Sequence, residues 1–136
     1  LVNHNFIEIH ASDLERTWET AEIVNAKCAK PLHKQSNLWE RDWGDWAGQS
    51  NVDLNWGGDP ENGESLQQFT LRTLDGFRAV LDLGMEILIV AHGGNYAVLL
   101  AAFGLPLNGP RVVKNAEPIR LTKDGSGAEG WAAEFL

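Results

Sequence analysis

The order of hydrophobic and polar positions near the start of the chain predicts a strand followed by a helix. Residues 6–10 alternate between apolar and polar side chains, which is typical of a short strand. Ser12 and Glu15 have the spacing of a capping box, in which both side chains bond free amides at a helix start. Apolar residues then recur at helical spacing until Pro31 ends the pattern: Leu14, Trp18, Ala21, Val24 and Cys28. These elements form a βα unit.

A second strand is predicted after another helix. A helical pattern begins at Ser65 and stops near Gly84. Residues 86–91 are nearly all apolar, which indicates a strand covered on both faces of a sheet. The sequence His92-Gly93-Gly94 forms a tight turn after this strand. A second βα unit is therefore expected here.

The last third of the chain predicts a helix and a hairpin. Asn95 can cap a helix over residues 96–103, which Pro106 helps to end. Residues 118–122 and 130–135 flank a Gly-rich turn and are typical of a terminal β-hairpin.

This element order predicts a single α/β domain over residues 1–136, built as a three-layer α/β/α sandwich with a mostly parallel central sheet. We expect the strands near 6–10 and 86–91 to be parallel, near the sheet centre and adjacent to a central strand. Residues 37–63 are predicted to form a long loop that holds four of the six tryptophans, and such loops are usually functional. Because ligands bind at the carboxyl ends of parallel strands, chemistry is expected after His10 and Ala91.

Composition and charge exclude several classes of protein. Hydrophobic residues make up 43% of the chain and charged residues 22%, which is typical of a globular domain rather than a disordered chain. No apolar run is long enough to span a membrane, and the net charge of −8 disfavours nucleic acid and anionic membranes as partners. The single cysteine, Cys28, falls on an apolar helix stripe and fits a reducing compartment, so we expect a cytoplasmic protein.

His92, Gly93 and Gly94 form a candidate anion site. The two glycines let the backbone approach a ligand closely, and the following helix presents free amides. An imidazole beside these amides suits a phosphate group. The alternative is a histidine that only ends a strand, with glycines that serve the turn.

Arg16 and Glu40 are further candidates for chemistry. Arg16 lies in the first turn of the first helix, from which a guanidinium can reach the strand ends and grip a phosphoryl group with two hydrogen bonds. Glu40 lies between Trp39 and Trp43, where aromatic shielding can raise the pKa of a general acid. The alternatives are a solvated arginine, a polar loop residue and, for the tryptophans, a packing cluster or a carbohydrate platform. The four histidines show no metal-ligand spacing, and we expect no metal and no cofactor.

Taken in order, these motifs resemble those of the histidine phosphatase superfamily, also called the phosphoglycerate-mutase-like family. The similarity extends over most of residues 6–122. Five segments carry it: Ser12–Thr17 with Thr20 and Ala21, the Glu40 loop from Leu38 to Gly48, Pro60–Ser65, Ile89–Gly94, and Asn115. The resemblance implies that Arg16 and Gly93 bind the phosphoryl group, that His92 is the second catalytic-pocket histidine, and that Glu40 is the acid that protonates the leaving oxygen.

The chain departs from the family pattern at its N-terminal side. Ala47 replaces a common glutamate and Thr17 a small alanine, and both changes are mild. The family's nucleophilic histidine belongs to an Arg-His-Gly strand end, and this sequence contains no Arg-His-Gly. Two explanations compete: an upstream strand and helix that the sequence does not include, which we favour, or a natural remnant that has lost them. Loss of a central strand should expose an unpaired edge and a bare apolar face.

The resemblance implies a phosphomonoester phosphatase that acts through a phosphohistidine on a small phosphorylated metabolite. Family mutases carry a longer basic insertion, whereas the 19 residues between Glu40 and Pro60 include one basic residue, Arg41. Phosphoglycerate mutase and a non-catalytic phosphate-binding module are the alternatives. The expected partner is a small-molecule phosphate ester, without nucleic acid or membrane, and a homo-oligomer is left open.

Overall fold

The fold is described from a computed structural model, for residues 4–50, 53–105, 114–123, 125 and 130–136. Its helices and strands follow in the order β1 (Glu8–Ala11), α1 (Glu15–Cys28), β2 (Leu32–Lys34), α2 (Leu66–Leu81), β3 (Ile87–Val90), α3 (Gly93–Ala102), β4 (Ile119–Lys123) and β5 (Trp131–Phe135). Short 3-10 turns lie at Ser36–Leu38 and Gly44–Trp46. No helix in these ranges is long and apolar enough to cross a membrane.

The first three strands form a parallel sheet in the order β2-β1-β3. Ile9 is in register with Leu32 on one side and with Leu88 on the other. The predicted parallel orientation of β1 and β3 is confirmed, but the two strands pair directly with each other rather than flanking a third strand. Within the described ranges, β1 is central and β3 is an edge strand.

Alternation along the strands separates two apolar clusters, one on each face of the sheet. Ile9 and Ala11 of β1 pack with Ala21 of α1, and the partly buried Leu88 and Val90 of β3 join them. On the other face, Ile89 and Ala91 join a cluster of Leu38, Phe77 and Leu99 from the 3-10 turn, α2 and α3. The predicted three-layer α/β/α arrangement is confirmed, with α1 on one face and α2 and α3 on the other.

The predicted elements agree with the fold to within a few residues, with two exceptions. Strand β2, only three residues long, was not predicted. The capping box of Ser12 and Glu15 is wrong, because α1 begins after Leu14 and has no side-chain cap. By contrast, Ser65 caps α2 in a reciprocal capping box with Gln68. Pro106 and most of the hairpin turn (124 and 126–129) lie outside the described residues.

Strand β3 is less covered than its apolar sequence suggests. All four of its residues are only half-buried, whereas a strand enclosed on both sides was expected. Its second edge pairs with no strand among the described residues, and the antiparallel β4–β5 hairpin forms a sheet of its own. Leu121 of β4 nevertheless packs on the same cluster as Ile89 of β3. The two sheets therefore share a core with an open space between β3 and β4.

Candidate active site

The candidate site is built where β1 and β3 end side by side. Ser12 directly follows β1 and its amide donates to the carbonyl of Val90, 2.9 Å away, which ties the two strand ends together. His92 follows β3 and stands immediately before α3. One point of the fold thus joins the carboxyl ends of two adjacent parallel strands and the start of a helix. Ligands of parallel sheets bind at such positions.

Arg16 reaches this point from the first turn of α1. Its Nη2 atom lies 3.1 Å from Nδ1 of His92, and Nε2 of His92 lies 2.9 Å from the Ser12 hydroxyl. A guanidinium can only donate, so Nδ1 of His92 accepts from Arg16 and Nε2–H donates to Ser12. The hydroxyl that failed to cap α1 is therefore used to orient the imidazole.

The surroundings of His92 keep its imidazole neutral. Burial of the ring, followed by the positive charges of Arg16 and Arg72, lowers the pKa of His92 from 6.5 to about 4. Both causes disfavour a second proton on the ring. At pH 7 the pocket therefore holds one permanent cation, Arg16, against a neutral hydrogen-bonding imidazole.

The Glu40 carboxylate lies against the first turn of α3. One oxygen accepts from the amide of Arg41 at 2.9 Å, and the other accepts from the amide of Gly94 at 3.4 Å. A methyl group on Gly94 would overlap the Glu40 carboxylate and force it to move from this position. Trp39 is 44% exposed and its indole donates to Asp13. Backbone amides, rather than the expected aromatic shielding, are thus the contacts that position Glu40.

Arg72 of α2 secures the segment that carries Glu40. It forms a two-point ion pair with Glu64, at 2.7 and 2.9 Å, and donates to the carbonyls of Asn37 and Trp39 at 3.0 and 3.1 Å. The sequence does not single out Arg72, since nothing in the periodicity of α2 distinguishes it from a solvated arginine.

Asn95 joins three parts of the site and is completely buried. Its Oδ1 accepts from the amide of His92 at 3.1 Å. Its Nδ2 donates to the Trp39 carbonyl and to the Thr73 hydroxyl, both at 3.1 Å. The prediction that Asn95 caps a helix starting at residue 96 is wrong, because α3 begins at Gly93 and its N-cap is His92. From the first turn of α3, Asn95 instead holds the Glu40 segment against α2 and α3.

The tryptophan-rich loop is organised around Arg41, which is 3% exposed. Its guanidinium donates to the carbonyls of Glu64, Trp56 and Gly58 at 2.6–3.0 Å and lies over the ring of Trp43. Trp43 meets Trp56 edge to face at 4.9 Å. These contacts favour the packing interpretation of the tryptophans over a carbohydrate platform.

An open groove of about 1770 Å³ passes through the site and continues between β3 and β4. Its lining includes Arg16, Glu40, His92 and Gly93, so the structure brings all four predicted site residues to one cleft. Gly93 is exposed, and its backbone amide lies in the first turn of α3, where amides lack intrahelical partners. Further along, the groove is lined by apolar residues from both sheets, among them Ile87, Ile89, Leu121 and Trp131.

The sequence matches the histidine phosphatase superfamily (branch 1) over residues 1–134. The chain belongs to this superfamily. It is 30% identical over 109 residues to a phosphoglycerate mutase-like protein of Arabidopsis thaliana, an alignment that covers 63% of this chain and 45% of that protein.

Two solved histidine phosphatase folds align with this superfamily member over most of its length. Bacillus stearothermophilus YhfR is 26% identical, with a TM-score of 0.74 and coverage of 92% of this chain and 72% of that one. The alpha-ribazole phosphatase of Shigella flexneri is 28% identical, with a TM-score of 0.64 and coverage of 78% and 61%. The chain spans less than half the length of its Arabidopsis relative.

Membership of a histidine phosphatase superfamily agrees with the arrangement of Arg16 and His92. Among the other histidines, His4 lines the same groove but contacts Arg120 at 2.8 Å, and His10 contacts Glu8 and Gln35, both at 2.8 Å. His33 lies beside His10 on β2. Within the described residues, His92 is therefore the histidine that contacts Arg16.

Proposed function

We propose that this chain carries the phosphate pocket and the acid of a phosphomonoester phosphatase that acts through a phosphohistidine on a small phosphorylated metabolite. The observation that supports it most is the meeting of Arg16, His92 and Glu40 at the ends of β1 and β3. Arg16 supplies a fixed positive charge, His92 a hydrogen-bonding ring, and Glu40 a carboxyl group beside a helix N-terminus. This is a suitable arrangement for stabilising a transferring phosphoryl group and for protonating its leaving oxygen.

In this proposal each residue has a distinct task. Arg16 and the amide of Gly93 bind the equatorial phosphoryl oxygens, and His92 donates a hydrogen bond to the same group once its Nδ1 is protonated. The nucleophilic imidazole attacks phosphorus and the P–O bond to the leaving alkoxide breaks. Glu40 gives that alkoxide its proton and then accepts a proton from the water that hydrolyses the phosphohistidine.

In this proposal the nucleophile comes from a segment outside these 136 residues. We propose that it is an Arg-His-Gly strand end which pairs into the space between β3 and β4. The half-buried β3, with its second edge unpaired among the described residues, supports this position. So does the groove, which runs from the unpaired edge to Arg16 and His92. A strand there would join the two sheets and cover the apolar surface of Ile87 and Ile89.

The buried state of Arg41 favours a phosphatase over a mutase. A mutase has to retain its phosphorylated product for a second transfer, which calls for additional cationic contacts. Arg41 is the single basic residue between Glu40 and Pro60, and its guanidinium is already bound to three backbone carbonyls. No cation of this loop is left to hold a second anionic group.

The leaving-group dependence of mutants tests the assignment of Glu40. In a longer chain that restores the upstream Arg-His-Gly segment, Glu40→Gln should slow hydrolysis of an alkyl phosphate at least tenfold more than that of nitrophenyl phosphate. The reason is that nitrophenolate departs without a proton, whereas an alkoxide has to be protonated as it leaves. Arg16→Ala should depress both reactions by about 10²–10³, because it acts on the phosphoryl group.

The matched control is Arg78→Ala, since Arg78 lies on an exposed part of α2. Equal losses on both substrates for Glu40→Gln would remove it from the acid role. Full activity of Arg16→Ala would contradict the phosphate pocket.

A non-catalytic phosphate-binding module is the second candidate, because Arg16, His92 and the first turn of α3 form a pocket without any nucleophile. Both candidates predict that the 136 residues alone bind inorganic phosphate or vanadate at Arg16 without hydrolysing an ester. They differ in the longer chain, where hydrolysis supports the enzyme and binding without hydrolysis supports the module.

A further inference from the structure

A second cluster of polar side chains lies on the sheet, outside the phosphate pocket. Glu8 and His10 are two residues apart on β1 and therefore point to the same face. His33 of β2 is in register with His10, which places the two rings side by side with their centroids 4.8 Å apart. Three side chains of the types that bind transition metals thus share one patch of the sheet.

The distances within this cluster suit a single ion. Oε1 of Glu8 lies 2.8 Å from Nε2 of His10, and its Oε2 lies 3.4 Å from Nε2 of His33. All the ligand atoms lie within 4.8 Å of one another. Two atoms bound to one tetrahedral zinc ion at ordinary bond lengths are about 3.3 Å apart, so small side-chain rotations would bring all three to one ion.

The surroundings supply what a metal site needs beyond its ligands. Nδ1 of His10 lies 2.8 Å from Nε2 of Gln35, which can orient the ring as outer partners of metal-bound histidines do. When a metal binds, the Gln35 amide would have to rotate end for end, so that its carbonyl oxygen accepts from Nδ1–H and Nε2 of His10 is free for the metal. The side chains of His10 and Glu8 are 8% and 17% exposed and that of His33 is 46% exposed. Water can therefore reach the open side and complete the coordination.

We propose that Glu8, His10 and His33 form a binding site for a divalent first-row transition-metal ion such as Zn²⁺, which fastens strand β2 to β1. Two imidazoles and one carboxylate are a common ligand set for zinc. Strand β2 is three residues long and two of them are exposed, so a metal bridge would reinforce the weakest pairing of the parallel sheet. This site is independent of the proposed phosphatase activity.

Metal titration of the metal-free protein tests the proposal. After treatment with a chelator, Zn²⁺ should bind at one equivalent with micromolar or tighter affinity. It should also raise the melting temperature by roughly 5–10 °C when free Zn²⁺ exceeds the dissociation constant a hundredfold. Co²⁺ in the same site should give the intense visible bands of a four-coordinate ion.

Matched variants assign the site to these residues. His33→Gln and Glu8→Gln should each weaken Zn²⁺ binding at least tenfold and abolish the thermal shift. His4→Gln, at a histidine that contacts Arg120 instead, should leave both unchanged, and Cys28→Ser excludes the thiol as a ligand. Because a weakened sheet could complicate the variants, the titration is repeated in the longer chain that restores the upstream segment.

Three outcomes would overturn the proposal. The first is the absence of stoichiometric binding when Zn²⁺ is present at about 100 times the protein concentration. The others are a Zn²⁺ affinity of the His33 and Glu8 variants equal to that of the wild type, or loss of Zn²⁺ binding in the His4 or Cys28 control. Since the readouts are affinity, melting temperature and Co²⁺ spectra, failure here leaves the phosphatase assignment untouched. Conversely, a longer chain without phosphatase activity would not alter the metal measurement.

Discussion

The depressed pKa of His92 makes a quantitative prediction about stability. The unfolded chain takes up a proton on this histidine near pH 6.5, whereas the folded chain does so only near pH 4. Between these values the unfolded state binds more protons, so the free energy of unfolding should fall as the pH is lowered. The contribution of His92 is complete above pH 6.5 and is lost as the pH passes down to about 4.

The magnitude follows from the two pKa values. A change from 6.5 to about 4 corresponds to about 3 kcal/mol, and about 2 kcal/mol of this is lost between pH 7 and pH 5. Because His92 is 8% exposed, solvent does little to screen the burial that causes the shift. Glu8 also has a lowered pKa, through its hydrogen bond to His10. Its contribution is lost mainly below pH 4.5, outside the interval from pH 7 to pH 5.

The assay is urea unfolding at pH 7, 6 and 5 for the wild type and for His92→Gln, with metal removed. Over this interval the free energy of unfolding should fall by about 2 kcal/mol more for the wild type than for His92→Gln. His4→Gln should behave like the wild type. Titration of the His92 ring by NMR should give a pKa near 4, and Arg16→Gln should raise it because one positive charge is gone. Parallel pH dependences of wild type and His92→Gln, or a His92 pKa above 6, would refute the reasoning.

Two further substitutions test how the Glu40 segment is held. Gly94→Ala should lower the free energy of unfolding by about 1–3 kcal/mol, because the new methyl group overlaps the neighbouring carboxylate. Gly93→Ala, where a methyl group meets nothing within 4 Å, should be neutral or stabilising, and equal losses for both would contradict the packing described. Arg41→Met should cost about 3 kcal/mol and change the tryptophan fluorescence, because it removes the buried guanidinium that binds three partly buried backbone carbonyls. Arg78→Met, at a side chain that is 71% exposed, should change neither the free energy of unfolding nor the fluorescence. An Arg41→Met variant that also leaves both unchanged would refute the organising role of Arg41.

Features set by neighbouring residues could be predicted from the sequence. Ser65 and Gln68 form their capping box because both partners lie within one helical turn. The parallel orientation of β1 and β3, though not their direct pairing, followed from apolar alternation and from the helix after each strand. Arg16 and His92 could be placed at one edge because both lie at carboxyl ends of parallel strands, where the fold brings side chains together.

Features set by distant residues could not be predicted. Ser12 has the local pattern of a helix cap, but a histidine 80 positions away takes its hydroxyl. Arg72 lies on a helix face with no local mark, and its task depends on carbonyls of a loop about 35 residues earlier in the chain. The proximity of His10 and His33 was missed for the same reason, since only the pairing of β1 with β2 makes them neighbours.

In the resting pocket, Arg16 donates one of its N–H groups to the neutral ring of His92. A phosphate group that takes over this donor leaves Nδ1 of His92 without one. The free lone pair of Nδ1 then lies beside a negatively charged phosphate oxygen and is repelled by it. A proton on Nδ1 makes the same contact attractive. The negative charge of the ligand also offsets the charge of Arg16, one of the causes that keep the ring neutral. Phosphate binding and proton uptake by His92 should therefore strengthen each other, and the pocket should hold phosphate more tightly as the pH falls from 7 towards 5, as long as the fold persists.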